Sequence, residues 1–135
     1  IPVSGTDFVD KTGGTFTGNV SVSGELLADS YNENSVTLSG TTPTVNCETG
    51  NNFELSTTGN TTFTFTNPPT SGTAYAFTLR VTAGGTHTLT WPASVDWAGG
   101  SAPDAPASGE TDVFVFFTTD GGTNWYGFQA GDALA

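Results

Sequence analysis

The chain has 135 residues, enough for one domain with a real core plus a short appendage and too few for two comfortable domains. Two Lys/Arg residues against thirteen Asp/Glu give a formal charge of -11; phosphate recognition needs clustered cations, so nucleic acid is excluded as a partner and anionic membrane surfaces are disfavoured. No apolar run approaches the ~20 residues of a membrane span, and the single cysteine, Cys47, excludes an intramolecular disulfide.

Residues 1–10 lack either period and hold Pro2 and Gly5, which predicts an extended linker. They carry neither a basic n-region nor an apolar h-region, so no signal peptide is read there. A start at Ile1 in a chain without methionine predicts a processed product or an excerpt of a longer protein. Residues 15–27 alternate through Phe16, Asn19-Val20, Val22 and Leu26-Leu27, predicting short strands broken at Gly18 and Gly24. Strands this short cannot bury an apolar face within one chain; three chains wound together could. The polar stretch from Asp29 to Ser35 marks a boundary, giving a linker and β-stalk over residues 1–34 and a β-sandwich head over residues 35–135.

Beyond the boundary, strands are predicted at residues 36–38, 44–47, 53–56, 61–66, 75–82, 86–91, 113–118 and 124–128. Short strands divided by Gly, Asn, Pro and Asp are the pattern of an all-β antiparallel sandwich or jelly roll. Alternation sends Phe63 and Phe65 inward, then Tyr75, Phe77, Leu79 and Val81 with Thr78 and Arg80 outward, then Leu89 and Trp91. Residues 113–117 (Val-Phe-Val-Phe-Phe) are apolar on both faces. Leaving Phe114 and Phe116 in water would cost roughly 1.5–3 kcal/mol each, so they are expected either inside a central strand or at a subunit interface. Asp120-Gly121 then predicts a tight hairpin loop, with residues 125–128 pairing back. The insert over residues 92–110 carries no period, and so long a loop is often functional or packed on neighbours.

Catalysis finds little material. His87, the one histidine, stands among threonines at the start of a strand, as a structural or exposed residue. No serine sits in a Gly-x-Ser-x-Gly elbow and no Gly-rich phosphate loop ends in Lys. Asp96, Asp104, Glu110 and Asp112 lie near Trp91 and Trp97, which leaves open a glycan hydrolase built on paired carboxylates, but no Asp-x-Asp-x-Asp-Gly cation loop accompanies them. The chain is read as a non-enzyme with no metal and no cofactor. Cys47 is read as a small buried hydrophobe. Trp125 is read as a core plug, while Trp97 and Tyr126, near loops, are candidates for stacking on a glycan or contacting a receptor.

The stretch Thr12-Gly13-Gly14-Thr15-Phe16-Thr17-Gly18-Asn19-Val20-Ser21-Val22 resembles the Thr-Gly-Gly-Thr-(Met/Phe)-Thr-Gly-x-(Leu/Val) repeat of bacteriophage tail-fibre and tail-collar proteins. The resemblance covers residues 11–27. The insert around residues 91–106, taken with residues 117–128, also resembles C-terminal modules of phage structural and fibre proteins. These resemblances imply a virion structural protein: a homotrimeric tail fibre or fibre-like appendage acting in host attachment. Gly13, Gly14, Thr15, Phe16, Thr17, Gly18, Val20, Val22 and Leu26 would form the trimerising stalk. The implied partners are other virion proteins and a host-surface glycan or protein receptor, with neither nucleic acid nor membrane insertion. Two alternatives stay open, a capsid decoration or head-fibre protein and a monomeric carbohydrate-binding module or glycan hydrolase.

Overall fold

The computed structural model describes residues 12–135, so the linker expected over residues 1–10 lies outside the described residues. The chain divides into two units, one ending at Tyr31 and one spanning Asn32–Ala135.

In the first unit, residues 12–31 contain bends and a turn but no strand, and every one of them is exposed. The strands expected over residues 15–27 therefore do not form in a single chain. An extended segment without a ladder partner leaves its amides to water, and nothing then distinguishes strand from coil.

The second unit is all-β. Its strands are β1 (Ser35–Thr37), β2 (Thr44–Asn46), β3 (Asn52–Ser56), β4 (Thr61–Thr62), β5 (Thr64–Thr66), β6 (Tyr75–Thr82), β7 (Leu89–Thr90), β8 (Val95–Trp97), β9 (Thr111–Thr118) and β10 (Trp125–Leu134). A six-stranded sheet runs in the order β1-β3-β6-β9-β10-β8, and the short pairs β2-β5 and β4-β7 pack across its inner face. Layered sheets around one core give a sandwich-like architecture.

Strand pairing corrects the antiparallel expectation. Only β6-β9 and β9-β10 are antiparallel, whereas β1-β3, β3-β6, β2-β5, β4-β7 and β8-β10 are parallel. The first half of the domain does not turn back by hairpins. After β1 the chain crosses to β2, returns to β3, crosses again through β4 and β5, and returns to β6. Sheet neighbours are thus separated by a visit to the other layer and run in the same direction, as in a solenoid. The run over residues 61–66 looks like one strand in sequence, but it changes partner at Phe63: Phe63 N–H donates to Thr90 O at 2.9 Å and Thr64 N–H to Pro43 O at 3.1 Å.

Alternation in β3, β6 and β9 sends Phe53, Leu55, Phe77, Leu79, Val81, Phe114 and Phe116 into the core, where Val45 and Phe63 meet them from the second layer. Aromatic rings form much of this interior. Phe65 makes edge contacts with Phe77, Phe116 and Trp125 at centroid distances of 5.0–5.2 Å, and Phe63 stacks on Trp91 at 4.6 Å. Such pairs contribute about 0.5–1.5 kcal/mol each beyond their buried area.

Phe114 and Phe116 are completely buried within their own chain, which corrects their assignment to a possible subunit interface. β9 is a central strand between β6 and β10, and its even-numbered residues from Asp112 to Thr118 face the core. Val113, Val115 and Phe117 take the outer face instead. The hairpin that follows is as expected: Gly121 and Gly122 have φ of 70° and 78°, while the Asp120 carboxylate accepts bonds from Asn124 N–H at 3.0 Å and Asn124 Nδ2 at 2.9 Å.

Candidate functional site

The irregular insert contributes a strand that the sequence pattern did not show. Val95–Trp97 forms the sheet edge β8, parallel to β10, with Val95 opposite Trp125, Asp96 opposite Tyr126 and Trp97 opposite Gly127. A 3₁₀ turn over Ala98–Gly100 follows. Val95 is buried, Asp96 exposed and Trp97 half-buried, so the alternation exists but spans too few residues to stand out.

This arrangement creates an open groove of about 370 Å³ lined by Trp97, Ala98, Ser101, Pro103, Gly127, Phe128 and Gln129. Trp97 is anchored on its inner side by Trp91, Phe114 and Phe116, with centroid distances of 5.5, 6.3 and 5.4 Å. Gly127 makes the floor possible. A Cβ there would stand 2.8 Å from Trp97 Cζ3 and 2.9 Å from Val95 Cγ1. Gly127 is thus a residue of the site that sequence reading missed, and a glycine inside an aromatic strand was its only signal.

Gln129 is held at this groove by two carboxylates. Its Nε2 donates to Asp112 Oδ2 at 3.1 Å and to Asp132 Oδ1 at 3.4 Å. Asp112 is itself fully buried, and its other oxygen accepts Ala133 N–H at 2.9 Å. Both oxygens of Asp112 are therefore engaged with the protein, and its role is to fix Gln129 and the bulged end of β10 rather than to face solvent as a base. An aromatic surface beside a fixed amide and a serine hydroxyl can receive an uncharged polar ligand by stacking and hydrogen bonding.

The two candidate glycan- or receptor-contact residues, Trp97 and Tyr126, lie on opposite sides of the sheet. Because Gly127 pairs with Trp97 and Tyr126 with Asp96, Trp97 belongs to the inner side of the sheet and Tyr126 to the outer side. Tyr126 instead joins Phe117 and Phe128, with ring centroids 5.1 and 6.0 Å from Phe117. Tyr126 is 43% exposed and Phe128 49%. Together with Val113 and Val115 they form an apolar strip over the outer face of β9 and β10.

Elsewhere in the domain, His87 and Cys47 are each held by local contacts. His87 Nδ1 pairs with Thr57 Oγ1 at 2.8 Å, and the same hydroxyl accepts Gly84 N–H at 3.1 Å. Cys47 is buried; burial pushes its thiol up to about 11, against a smaller opposing effect of the Tyr75 hydroxyl. Burial likewise raises Tyr75, which donates to Gly50 O. Cys47 and His87 thus have different partners and do not form a nucleophile-base pair. Among the described residues no group of three or more His, Cys, Asp or Glu side chains is placed to hold a metal. Trp125 is a core residue, as expected.

Comparisons with protein-family models, curated proteins and solved structures find no match.

Proposed function

We propose that this chain is a non-enzymatic structural protein of a bacteriophage virion, part of a homotrimeric tail fibre or fibre-like appendage that acts in host attachment. One observation carries the reading. In the Thr-Gly-Gly-Thr repeat segment, Phe16, Val20, Val22 and Leu26 are 58%, 61%, 48% and 79% exposed. Each large apolar side chain left in water forgoes roughly 1.5–3 kcal/mol. Intertwining three copies through residues 13–31 removes this stripe from water and allows strand ladders to form between chains.

Attachment is assigned to the groove of Trp97, Ser101 and Gln129. Its stacking surface and fixed amide suit an uncharged host-surface glycan, and a carboxylate-rich chain of net charge -11 disfavours an anionic one. The partners are other copies of the chain, other virion proteins and the host surface.

Light scattering on the full chain tests the assembly. A trimer that dissociates in the Val22→Asp, Leu26→Asp variant supports the reading, and a monomeric parent chain overturns it. Glycan-array binding that disappears in Gln129→Ala tests the groove. Glycan binding by a monomeric parent would instead favour a carbohydrate-binding module.

A further inference from the structure

Gln129 enters the groove with its hydrogen-bonding sense already decided. A carboxylate accepts hydrogen bonds and donates none, so of the two ends of a side-chain amide only the nitrogen can pair with one. In Gln129 the nitrogen pairs with two: Nε2 donates to Asp112 Oδ2 at 3.1 Å and to Asp132 Oδ1 at 3.4 Å, which engages both of its hydrogens. Asp112 makes the choice firm, because it is completely buried on the central strand β9 and its other oxygen already accepts Ala133 N–H. Turning the amide over would set one acceptor against another and strip a buried carboxylate of a donor, which is costly.

The group left over is Gln129 Oε1. Among the described residues nothing donates to it, and nothing bonds to the Ser101 hydroxyl. Both residues line the groove beside Trp97, Ala98 and Pro103. The groove thus offers one acceptor of fixed sense, one rotatable hydroxyl and an apolar wall. A site that accepts a hydrogen bond from its ligand discriminates against an analogue without the donor, since the acceptor is then covered and unpaired.

We infer that the groove selects ligands that donate a hydrogen bond to Gln129 Oε1 while an apolar face lies on Trp97, and that Asp112 is the positioning residue that sets this polarity. The inference rests on the glycan reading above and sharpens it. The group recognised is a neutral donor, either a sugar hydroxyl or the N–H of an acetamido sugar. A sugar with its hydroxyls capped keeps its apolar face and its acceptors but has no donor to offer.

NMR titration of the isotope-labelled full chain tests this, read at the Trp97 indole N–H, which Trp97→Phe assigns. The probes are the methyl glycosides of glucose, galactose and N-acetylglucosamine, and the glucoside and galactoside with every hydroxyl O-methylated. Free glycosides are expected to move the Trp97 signal with at least about tenfold higher affinity than capped ones, the worth of one hydrogen bond. A response to a free hexoside marks the hydroxyl as donor, and a response to the acetamido sugar alone marks its N–H. Gln129→Met, which keeps the length of an exposed side chain and removes the acceptor, should erase the preference for free over capped sugar. Asp112→Asn places a donor beside Gln129 and lets its amide turn over, so the free sugars should weaken and the capped ones strengthen, a reversal that mere destabilisation does not produce. Equal affinity of the parent chain for free and capped sugars, or an undiminished preference in Gln129→Met, overturns the inference and leaves the glycan groove standing. Silence of Trp97 toward every probe overturns it too; array binding that still disappears in Gln129→Ala would then leave the groove reading in place, and a blank array would remove both.

Discussion

The indole of Trp97 lies against the backbone of Gly127, so closely that a Cβ at position 127 would come within 2.8 Å of Cζ3 and 2.9 Å of Cε3. Strand register produces this contact by placing Trp97 opposite Gly127. Trp97 is backed by Trp91, Phe114 and Phe116, so it can yield only toward the open groove. Gly127→Ala is therefore expected to cost about 1–3 kcal/mol, as overpacking of a filled site does, and to shift tryptophan fluorescence as Trp97 is displaced. Gly131→Ala is the control. Its new methyl would meet Leu134 Cδ1 at 2.9 Å, the end of an exposed flexible side chain that can swing aside, so less than about 0.5 kcal/mol is expected. Urea denaturation of the two variants checks the contrast.

Phe114 and Phe116 offer a second test, because burial inside one chain and burial between chains predict different concentration dependence. Both rings are enclosed by residues of their own chain: Phe116 by Phe65, Phe77, Trp91 and Trp97, and Phe114 by Trp91 and Trp97. Phe114→Ala or Phe116→Ala is expected to lower domain stability by about 3–5 kcal/mol. The loss should be the same across a wide range of protein concentrations, measured by denaturant melts. A loss that shrinks as the protein is concentrated would return these rings to an interface.

Much of the sandwich was legible because its strands obey a period of two. The period of two bounds a strand over residues 75–82, as observed, and alternation alone places Phe63, Phe77, Leu79 and Val81 in the core. The sense of pairing was not legible. Whether a chain turns back beside itself or crosses to the opposite layer depends on long-range packing, and the loops that do either are equally rich in Gly, Asn and Thr. The face chosen by β9 was ambiguous for a simpler reason: Val-Phe-Val-Phe-Phe is apolar on both sides, so alternation cannot say which side is the core. The buried neighbours Asp112 and Thr118 are polar, which hid the true inner face further. At the groove, Trp97 was visible as an aromatic in an irregular segment, but Gly127 and Gln129 acquire their roles only through register and through the bond to Asp112.

Cys47 is expected to behave as a core atom rather than a thiol. Burial holds its pKa at about 11, so at pH 8 the reactive thiolate is a minute fraction and reagent must also reach a side chain 7% exposed. In the folded chain, alkylation by iodoacetamide at pH 8 should be slower by at least about a hundredfold than in denaturant, as followed by mass spectrometry. Rapid labelling of the native chain would mean that the β2 layer opens readily.

The acid limb of stability is expected to report on the β9-β10 hairpin. Asn124, through its backbone N–H and then its side-chain amide, holds the Asp120 carboxyl below the usual carboxylate range, and Thr118 Oγ1 adds a third donor at 3.0 Å. A folded-state pKa below the unfolded one contributes stability that is complete above the unfolded value and is lost as pH falls through the folded value. The parent chain should accordingly be more stable than Asp120→Ala at neutral pH, and the difference in Tm should narrow as pH descends through and below the ordinary carboxylate range. Asp120→Asn keeps one acceptor and loses the charge, so its melting curve should lie between the two and show the weaker pH dependence. A constant gap between parent and Asp120→Ala from neutral to strongly acidic pH would show that the carboxylate acts in the turn by shape alone, leaving Gly121 and Gly122, with their positive φ angles, as the features that set the hairpin.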